Sequence, residues 1–306
     1  MGRPTEVRVR VPASSANLGA GFDSLGLALS LYDEIEVCAA PSGLRVEVEG
    51  EGAGRVRCDE SHLVVSTMRR TWRILGDAPA GLRLRCRNAI PHSRGLGSSA
   101  AAAVAGAVAA AVLSGRDPEL ERDTLLQITA GMEGHADNAA ASLLGGFVIA
   151  WESQQFQQAP GNILARFHAV RLDTHPGIHP VALVAEAESS TRATRGLLPE
   201  QVPLADAAFT GSRTALAVLA FTQRPELLLA ATEDRLHQSY RRPAYPRSAE
   251  VVDALRAHGV PAAISGAGPT VLALTSDGTL PEALDLGGFG VRPLPVDATG
   301  ARVEIG

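Results

Sequence analysis

At 306 residues the chain is long enough for a large core divided over two domains, and its 45 % hydrophobic and 20 % charged residues describe a globular protein without a long disordered tail. A formal net charge of −5 with scattered arginines argues against nucleic acid as a partner, and all 28 basic residues are arginine, since no lysine occurs. Cys38, Cys58 and Cys86 lie far apart with no C-x-x-C pair, which disfavours a disulfide framework or thiolate metal site and fits a reducing cytoplasm.

The opening MGRPTEVRVRVP carries no apolar signal segment, and Glu6 breaks the myristoylation pattern. From Glu6 to Val11, valines alternate with arginines as in a half-buried strand that Pro12 should end. ASSANLGAGFDSLGLAL then reads as a polar loop with one carboxylate, Asp23. Alternation predicts strands between Tyr32 and Val48, with a turn at Gly50 to Gly54. Helical spacing follows from His62 to Leu75, then one more strand at Leu82, Leu84 and Cys86.

The stretch PHSRGLGSSAAAAVAGAVAAAVL, Pro91 to Leu113, carries the strongest chemical signal. Gly95 and Gly97 let backbone amides approach a ligand, Ser98 and Ser99 can cap the helix that follows, and a helix N-terminus favours an anion. Phosphate is the expected ligand, although a glycine turn capped by serine also opens ordinary helices. A Walker loop and a protein-kinase architecture both need a lysine, which is absent. The third glycine of a dinucleotide loop is replaced by Ala100, which leaves that reading weakly open. Amides, hydroxyls and Arg94 would have to hold the phosphates. The apolar run from Ala100 to Leu113 is too short to span a bilayer, so no membrane role is expected.

After a break at Gly115 to Pro118, Thr124 to Met132 is helical by spacing and runs into Glu133, His135, Asp137 and Asn138. No H-E-x-x-H pattern supports zinc there, and a solvated turn with a capping histidine is the plain alternative. Composition places a polar excursion over Gln154 to Gly161, with a domain boundary at Trp151 to Gly161. Val181 to Val184 reads as a short buried strand, and ESSTRATRGLLP sets hydroxyls beside Arg192 and Arg195 at a strand-to-helix turn. Helices are expected at Ala205 to Phe221, Glu226 to Ala231 and Ser248 to His258, with LHQSYRRP and its Arg241 between the last two. AAISGAGPTVLAL, with Ser265, Gly266, Gly268 and Thr270, reads as strand, glycine turn and strand.

Several of these stretches resemble those of a known family in their order. PHSRGLGSSAA is similar to the P-x-x-x-G-L-G-S-S-A-A phosphate loop of the GHMP kinases, and SGAGPT to the motif that closes back against that loop. PASSANLGAGFDSLG resembles the P-A-S-S-A-N-x-G-x-G-F-D-x-x-G signature of the family's homoserine kinase branch. EGHADN resembles E-G-H-x-D-N with Ala136 where proline is common, STRATRGLLP resembles S-T-x-x-A-R-x-x-L-P with Thr194 for alanine, and LHQSYR resembles L-H-x-x-Y-R.

The resemblance implies an α+β, two-domain fold. Its N-terminal part, residues 1–155, is expected to be like ribosomal protein S5 domain 2, its C-terminal part, 156–306, to be ferredoxin-like, and the active site to lie in the cleft between them. It implies a cytoplasmic enzyme of threonine biosynthesis that phosphorylates L-homoserine from ATP with Mg2+, and leaves a homodimer open. The nucleotide residues it implies are Pro91, Arg94, Gly95, Leu96, Gly97, Ser98, Ser99, Ala100, Ala101 and Thr270, with Ser98 and Glu133 on magnesium. Asn17 and Asp23 would take the substrate ammonium and Arg195 and Arg241 its carboxylate, with His135 nearby.

The groups placed at the reaction itself are Asp23, Asn138, Ser98 and Glu133. Asn138 stands where many GHMP kinases have aspartate, so no strong protein base is expected. His62 replaces the family's usual asparagine near the adenine, which leaves the base contacts unassigned. A kinase for another small alcohol, of mevalonate or sugar type, and a catalytically silent binding protein are the alternatives.

Overall fold

The alternating N-terminal residues do form strands, but longer ones than their periodicity announces. The structure, a computed structural model, describes residues 4–159, 163–189 and 191–305. The first three residues and part of the expected 154–161 excursion lie outside them. In chain order the first part comprises β1 (Glu6–Asn17), β2 (Gly21–Ala40), β3 (Gly43–Gly50), α1 (Leu63–Leu75), β4 (Gly81–Asn88), α2 (Ser98–Leu113), α3 (Arg122–Glu133), α4 (Asp137–Leu144), β5 (Phe147–Ala159) and β6 (Ile163–Leu172). The second comprises β7 (His179–Ala185), α5 (Thr191–Arg195), α6 (Leu204–Thr222), α7 (Leu228–Ala231), α8 (Gln238–Arg241), α9 (Pro246–Ala257), β8 (Ala262–Ile264), β9 (Val271–Thr275) and β10 (Phe289–Pro293). The last strand is β11 (Arg302–Ile305).

Pro12 does not end β1. The strand runs on to Asn17, and its register against β2 shifts between Pro12 and Ala13, where a residue without an N–H is accommodated. Ser14 and Ser15 then pair opposite Ala28 and Leu27, both serines fully buried. The expected polar loop therefore contracts to Leu18–Ala20. Its hydroxyls serve internal hydrogen bonds instead of solvent, which composition alone cannot distinguish.

The first sheet has the order β11-β1-β2-β4-β3, with β5 on β2 and β6 on β5; among the described residues only β3 and β4 pair in parallel. The division drawn at residue 155 falls inside β5, and the sheets part elsewhere. The first sheet continues through Leu172 and regains the chain at β11, because the β5–β6 hairpin and the edge of β1 both belong to its ladder. The second sheet, β10-β7-β9-β8, is antiparallel throughout; numbered along its own segment it reads 4-1-3-2, the strand order of a ferredoxin-like layer. Its core of Val181, Leu183, Val251, Leu255, Ile264 and Val271 is separate from the main one.

α2 is the axis of the larger core. Ala and Val predominate along it, and neighbours cover it on nearly every side, which only small side chains permit. Gly106, the weak helix former in its middle, is where α1 crosses: a Cβ there would stand 2.5 Å from the Val64 carbonyl oxygen. Among the described residues no helix is long and apolar enough to cross a membrane.

Candidate active site

Gly95 and Gly97 adopt left-handed backbone, at φ +79 and +69, so the loop turns sharply into α2 with Gly97 as its N-cap. No side chain caps this helix: Ser98 and Ser99 are its first two residues, so the capping expected of them does not occur. The first amide used inside the helix is that of Ala101, which donates to the Gly97 carbonyl at 2.8 Å. The amides of Ser98 and Ser99 remain as the open donors of an anion site. They stand at a cavity of about 760 Å³, lined also by Pro91, Arg94, Gly95, Leu96, Gly97, Glu133, His135 and Asn138.

The glycine turn of the β8–β9 hairpin locks the loop from behind. Ser265 Oγ donates to the Gly95 carbonyl at 2.6 Å, Gly266 N donates to the Ala16 carbonyl, and Thr270 N donates to the Arg94 carbonyl at 3.3 Å. Gly266 and Gly268 face the cavity, whereas Thr270 is fully buried beneath them with an unpaired hydroxyl. Thr270 therefore supports the loop from below and does not line the cavity. Ala100 and Ala101 are likewise buried in the core.

Arg94, expected on phosphate, reaches the other way. Its guanidinium donates to the carbonyls of Ala185 at 2.9 Å, Glu186 at 3.0 Å and His92 at 3.1 Å, tying the loop to the end of β7. The open helix amides are thus the donors that the loop leaves free for an anion.

Glu133 closes the cavity beside α2 and accepts a short hydrogen bond from Ser99 Oγ, where Ser98 was the expected neighbour. Burial raises its carboxyl above the usual range, against the Ser99 hydrogen bond and the charge of His135. Glu133 and the two serine hydroxyls are hard oxygen donors suited to magnesium. Among the described residues no trio of acids, histidines or cysteines could hold a metal alone. Replacing Glu133 with glutamine should raise the magnesium concentration for half-maximal activity about tenfold, from the loss of one anionic ligand. An unchanged magnesium titration would remove Glu133 from the ion.

Next along the wall, His135 Nδ1 lies 2.7 Å from Oδ1 of the buried Asp137, a residue to which the sequence assigns no role. Asp137 begins α4, a short alanine-rich helix without periodic signal, and also accepts from the Asn138 amide at 2.8 Å. Burial opposes a charged ring at His135, but the hydrogen bond and charge of Asp137, with Glu133 and Asp23 adding, push it up to about 9. His135 is therefore an imidazolium at neutral pH and cannot act as a base. Its folded pKa of about 9 exceeds the ordinary 6.5, so its stabilising contribution is complete below about pH 6.5 and is lost as pH rises through 9. At most this is about 3 kcal/mol. The melting temperature should fall across that window, and His135→Gln should flatten the fall. Equal slopes in both proteins would contradict the pairing.

Asn138 Oδ1 accepts from Ser14 Oγ at 3.0 Å, beside Gly97. Asn17 is a brace: its Nδ2 donates to the Gly266 carbonyl at 2.8 Å, and its Oδ1 accepts from Asp23 N at 3.0 Å. Asn17 and Asp23 both hold left-handed backbone, φ 70 and 54. Asp23 is bound end-on by Arg195, with Nη1–Oδ2 at 2.9 Å and Nη2–Oδ1 at 2.8 Å. The Arg195 and Arg241 guanidinium carbons stand 5.4 and 5.2 Å from the centre of the Phe22 ring, and His237 stacks on it at 5.1 Å.

Arg241 is only 2 % exposed; among the described residues its Nε has no partner, and its one side-chain hydrogen bond is with His237 Nδ1 at 3.4 Å. Asp23, Arg195 and Arg241 form a cluster about Phe22 and do not line the large cavity, while His135 and Asn138 do. Sequence reasoning gives no role to Phe22 or Asp137; the G-F-D turn and the EGHADN run were the available signals. Ser190 and the side chains of Thr191 and Arg192 lie outside the described residues.

Family models for the N-terminal and C-terminal domains of GHMP kinases match residues 62–146 and 210–285. A homoserine kinase of Streptomyces avermitilis is 49 % identical over 98 % of this chain and 96 % of its own, and one of Rhodococcus erythropolis is 55 % identical over 89 % and 86 %. The crystal structure of homoserine kinase from Cytophaga hutchinsonii superposes with a TM-score of 0.81 at 25 % identity, covering 99 % of both chains. Mevalonate diphosphate decarboxylase from Staphylococcus aureus shares the fold, with a TM-score of 0.65 at 16 % identity and 98 % of both chains covered. The chain belongs to the GHMP kinases, in their homoserine kinase family.

Proposed function

We propose that the protein transfers the terminal phosphoryl group of ATP to the side-chain hydroxyl of L-homoserine, giving O-phospho-L-homoserine and ADP. The observation that carries this reading is Arg241, a buried cation with no anion of its own among the described residues, in a cluster that also holds an acid and a second arginine. Such a cluster suits a small zwitterion: Arg241 with Arg195 for the carboxylate, Asp23 for the ammonium. Both Asn138, beside Gly97, and His135, on which the charge of Asp23 acts, line the cavity at the open amides of α2.

Phosphoryl transfer asks chiefly for alignment and for neutralising charge on oxygens. The amides of Ser98 and Ser99 bind the phosphates, and the His135 imidazolium adds positive charge near the transferred group. Magnesium, when bound by Glu133 and a serine hydroxyl, supplies further charge neutralisation on the phosphate oxygens. Asn138 orients the acceptor hydroxyl but cannot take its proton, and the imidazolium is already protonated. The proton therefore leaves late, to the transferred phosphate or to water.

A coupled ADP-release assay with homoserine, mevalonate and galactose in parallel tests the reading. Turnover with homoserine alone is expected. Preference for another alcohol would reassign the substrate, and no ADP from any of them would point to a binding protein.

A further inference from the structure

Of the residues in LHQSYR, the proposed reaction uses Arg241 and leaves His237 without a task. His237 is fully buried just before α8, where its backbone N donates to Asp234 Oδ2 at 3.0 Å and its carbonyl accepts from Arg241 N at 3.1 Å. The imidazole stacks on Phe22, and both of its nitrogens are in use. Nε2 lies 2.7 Å from the Gly19 carbonyl oxygen, and Nδ1 lies 3.4 Å from Nη1 of Arg241. The ring therefore ties the Leu18–Ala20 turn, which leads to Phe22 and Asp23, to the short helix that carries Arg241.

A carbonyl oxygen only accepts, so Nε2 carries the proton that the Gly19 contact needs. In a neutral ring Nδ1 is then a bare acceptor, and Nη1 of Arg241 donates to it. A second proton, on Nδ1, would face a guanidinium donor. Burial, with the Arg241 charge adding, lowers the pKa of the ring against the charge of Asp234, 3.6 Å from Nε2, and the Gly19 hydrogen bond. The oxygens of Asp234 are already committed to the amides of Leu236, His237 and Gln238.

A guanidinium is planar, and the N–H groups of Nε and Nη2 share one edge, which fits the two oxygens of a carboxylate. That edge is what Arg241 has left once His237 holds Nη1: Nε has no partner, and Nη1 makes the side chain's one hydrogen bond among the described residues. A carboxylate in place of the imidazole would hold Nη1 as well, but it would cancel the charge. A neutral acceptor fixes the plane of the guanidinium and leaves its charge to be met by a ligand.

We propose that His237 is a positioning residue for the amino acid substrate: through Nδ1 it sets the plane of Arg241 so that the Nε–Nη2 edge meets the substrate carboxylate. The inference rests on the cluster about Phe22 being the homoserine site.

Steady-state kinetics and thermal melting of the full chain, as the parent protein and three variants, test this. His237→Asn sets a side-chain oxygen where Nδ1 stands and gives up Gly19, whereas His237→Gln sets an amide nitrogen where Nε2 stands and gives up Arg241. His237→Asp has the shape of the asparagine variant with a negative charge. His237→Asn should keep the homoserine KM within about threefold of the parent. His237→Gln, losing a hydrogen bond to a charged group, should raise it about ten- to a hundredfold. His237→Asp should raise it at least about thirtyfold over His237→Asn, because Arg241 is then already paired, and should melt no lower than His237→Asn. The ATP KM should stay within about twofold in all three. Homoserine KM values that move together in the asparagine and glutamine variants, or that are equal in the asparagine and aspartate variants, would overturn the role of His237 while leaving the kinase reading in place. A parent protein that phosphorylates no homoserine would overturn both.

Discussion

Replacing Arg241 with methionine should raise the melting temperature while nearly abolishing homoserine turnover. The side chain is buried, its Nε is unpartnered, and among the described residues no carboxylate pairs with its charge. Such a charge costs stability, and an apolar replacement of similar length removes that cost, a gain of about 1–3 kcal/mol or roughly 2–6 °C for a chain of this size. The methionine sulfur would also pack against the Phe22 ring, which the guanidinium now faces. On the proposed function the same change deletes a partner of the substrate carboxylate. Losing one member of a buried charge pair costs about 2–5 kcal/mol, so kcat/KM for homoserine should fall by about 10²- to 10³-fold, with the ATP KM within about twofold. A lower melting temperature with an unchanged homoserine KM would show instead that Arg241 is a strut.

This opposition between stability and binding follows from how the cluster is balanced before substrate arrives. Asp23 and Arg195 neutralise one another end-on, leaving Arg241 as the uncompensated member. A zwitterion can enter by exchange: its ammonium replaces Arg195 at Asp23, and its carboxylate meets the released Arg195 together with Arg241. Each charge then has a partner. A neutral sugar offers no such exchange, and a substrate with only a carboxylate leaves Asp23 without its cation.

The sequence disclosed the parts of the site built on backbone chemistry. The left-handed glycines at 95 and 97 and the alanine-rich helix behind them announce themselves because few residues can do what they do. It disclosed less where a residue's role depends on what lies across the fold. Arg94 reads as a phosphate ligand until the end of β7, at Ala185 and Glu186, brings two carbonyls to it beside that of His92. Ser14 and Ser15 read as loop until Asn138 and Ser265 supply their buried partners. α4, at eight residues, has too few turns to show a period, so the clasp between Asp137 and His135 stays hidden although both residues stand out in the chain. β10 and β11, at five and four residues, escape detection for the same reason.

The second large effect is expected at Gly95, where two motifs 170 residues apart meet. An alanine Cβ there would stand 2.3 Å from the Ser265 carbonyl oxygen and 3.0 Å from that of Gly268, and φ +79 is strained for any L side chain. Both obstacles are backbone, so no rotamer change relieves the collision. Either the β8–β9 turn is pushed outward, breaking the Ser265–Gly95 hydrogen bond, or the loop flips and the amides of Ser98 and Ser99 lose their aim. Gly95→Ala should therefore cost about 3 kcal/mol or more, a fall of roughly 6 °C, and lower kcat/KM for ATP by at least about 100-fold. Gly54 is the control: its φ is +72, but nothing lies within 4 Å of its Cβ position. Gly54→Ala should show only the left-handed penalty of about 1–2 kcal/mol, with kinetics intact. If the two variants melt and turn over alike, the hairpin does not hold the cradle in shape, and the donors that grip the phosphates must be sought elsewhere in the cavity.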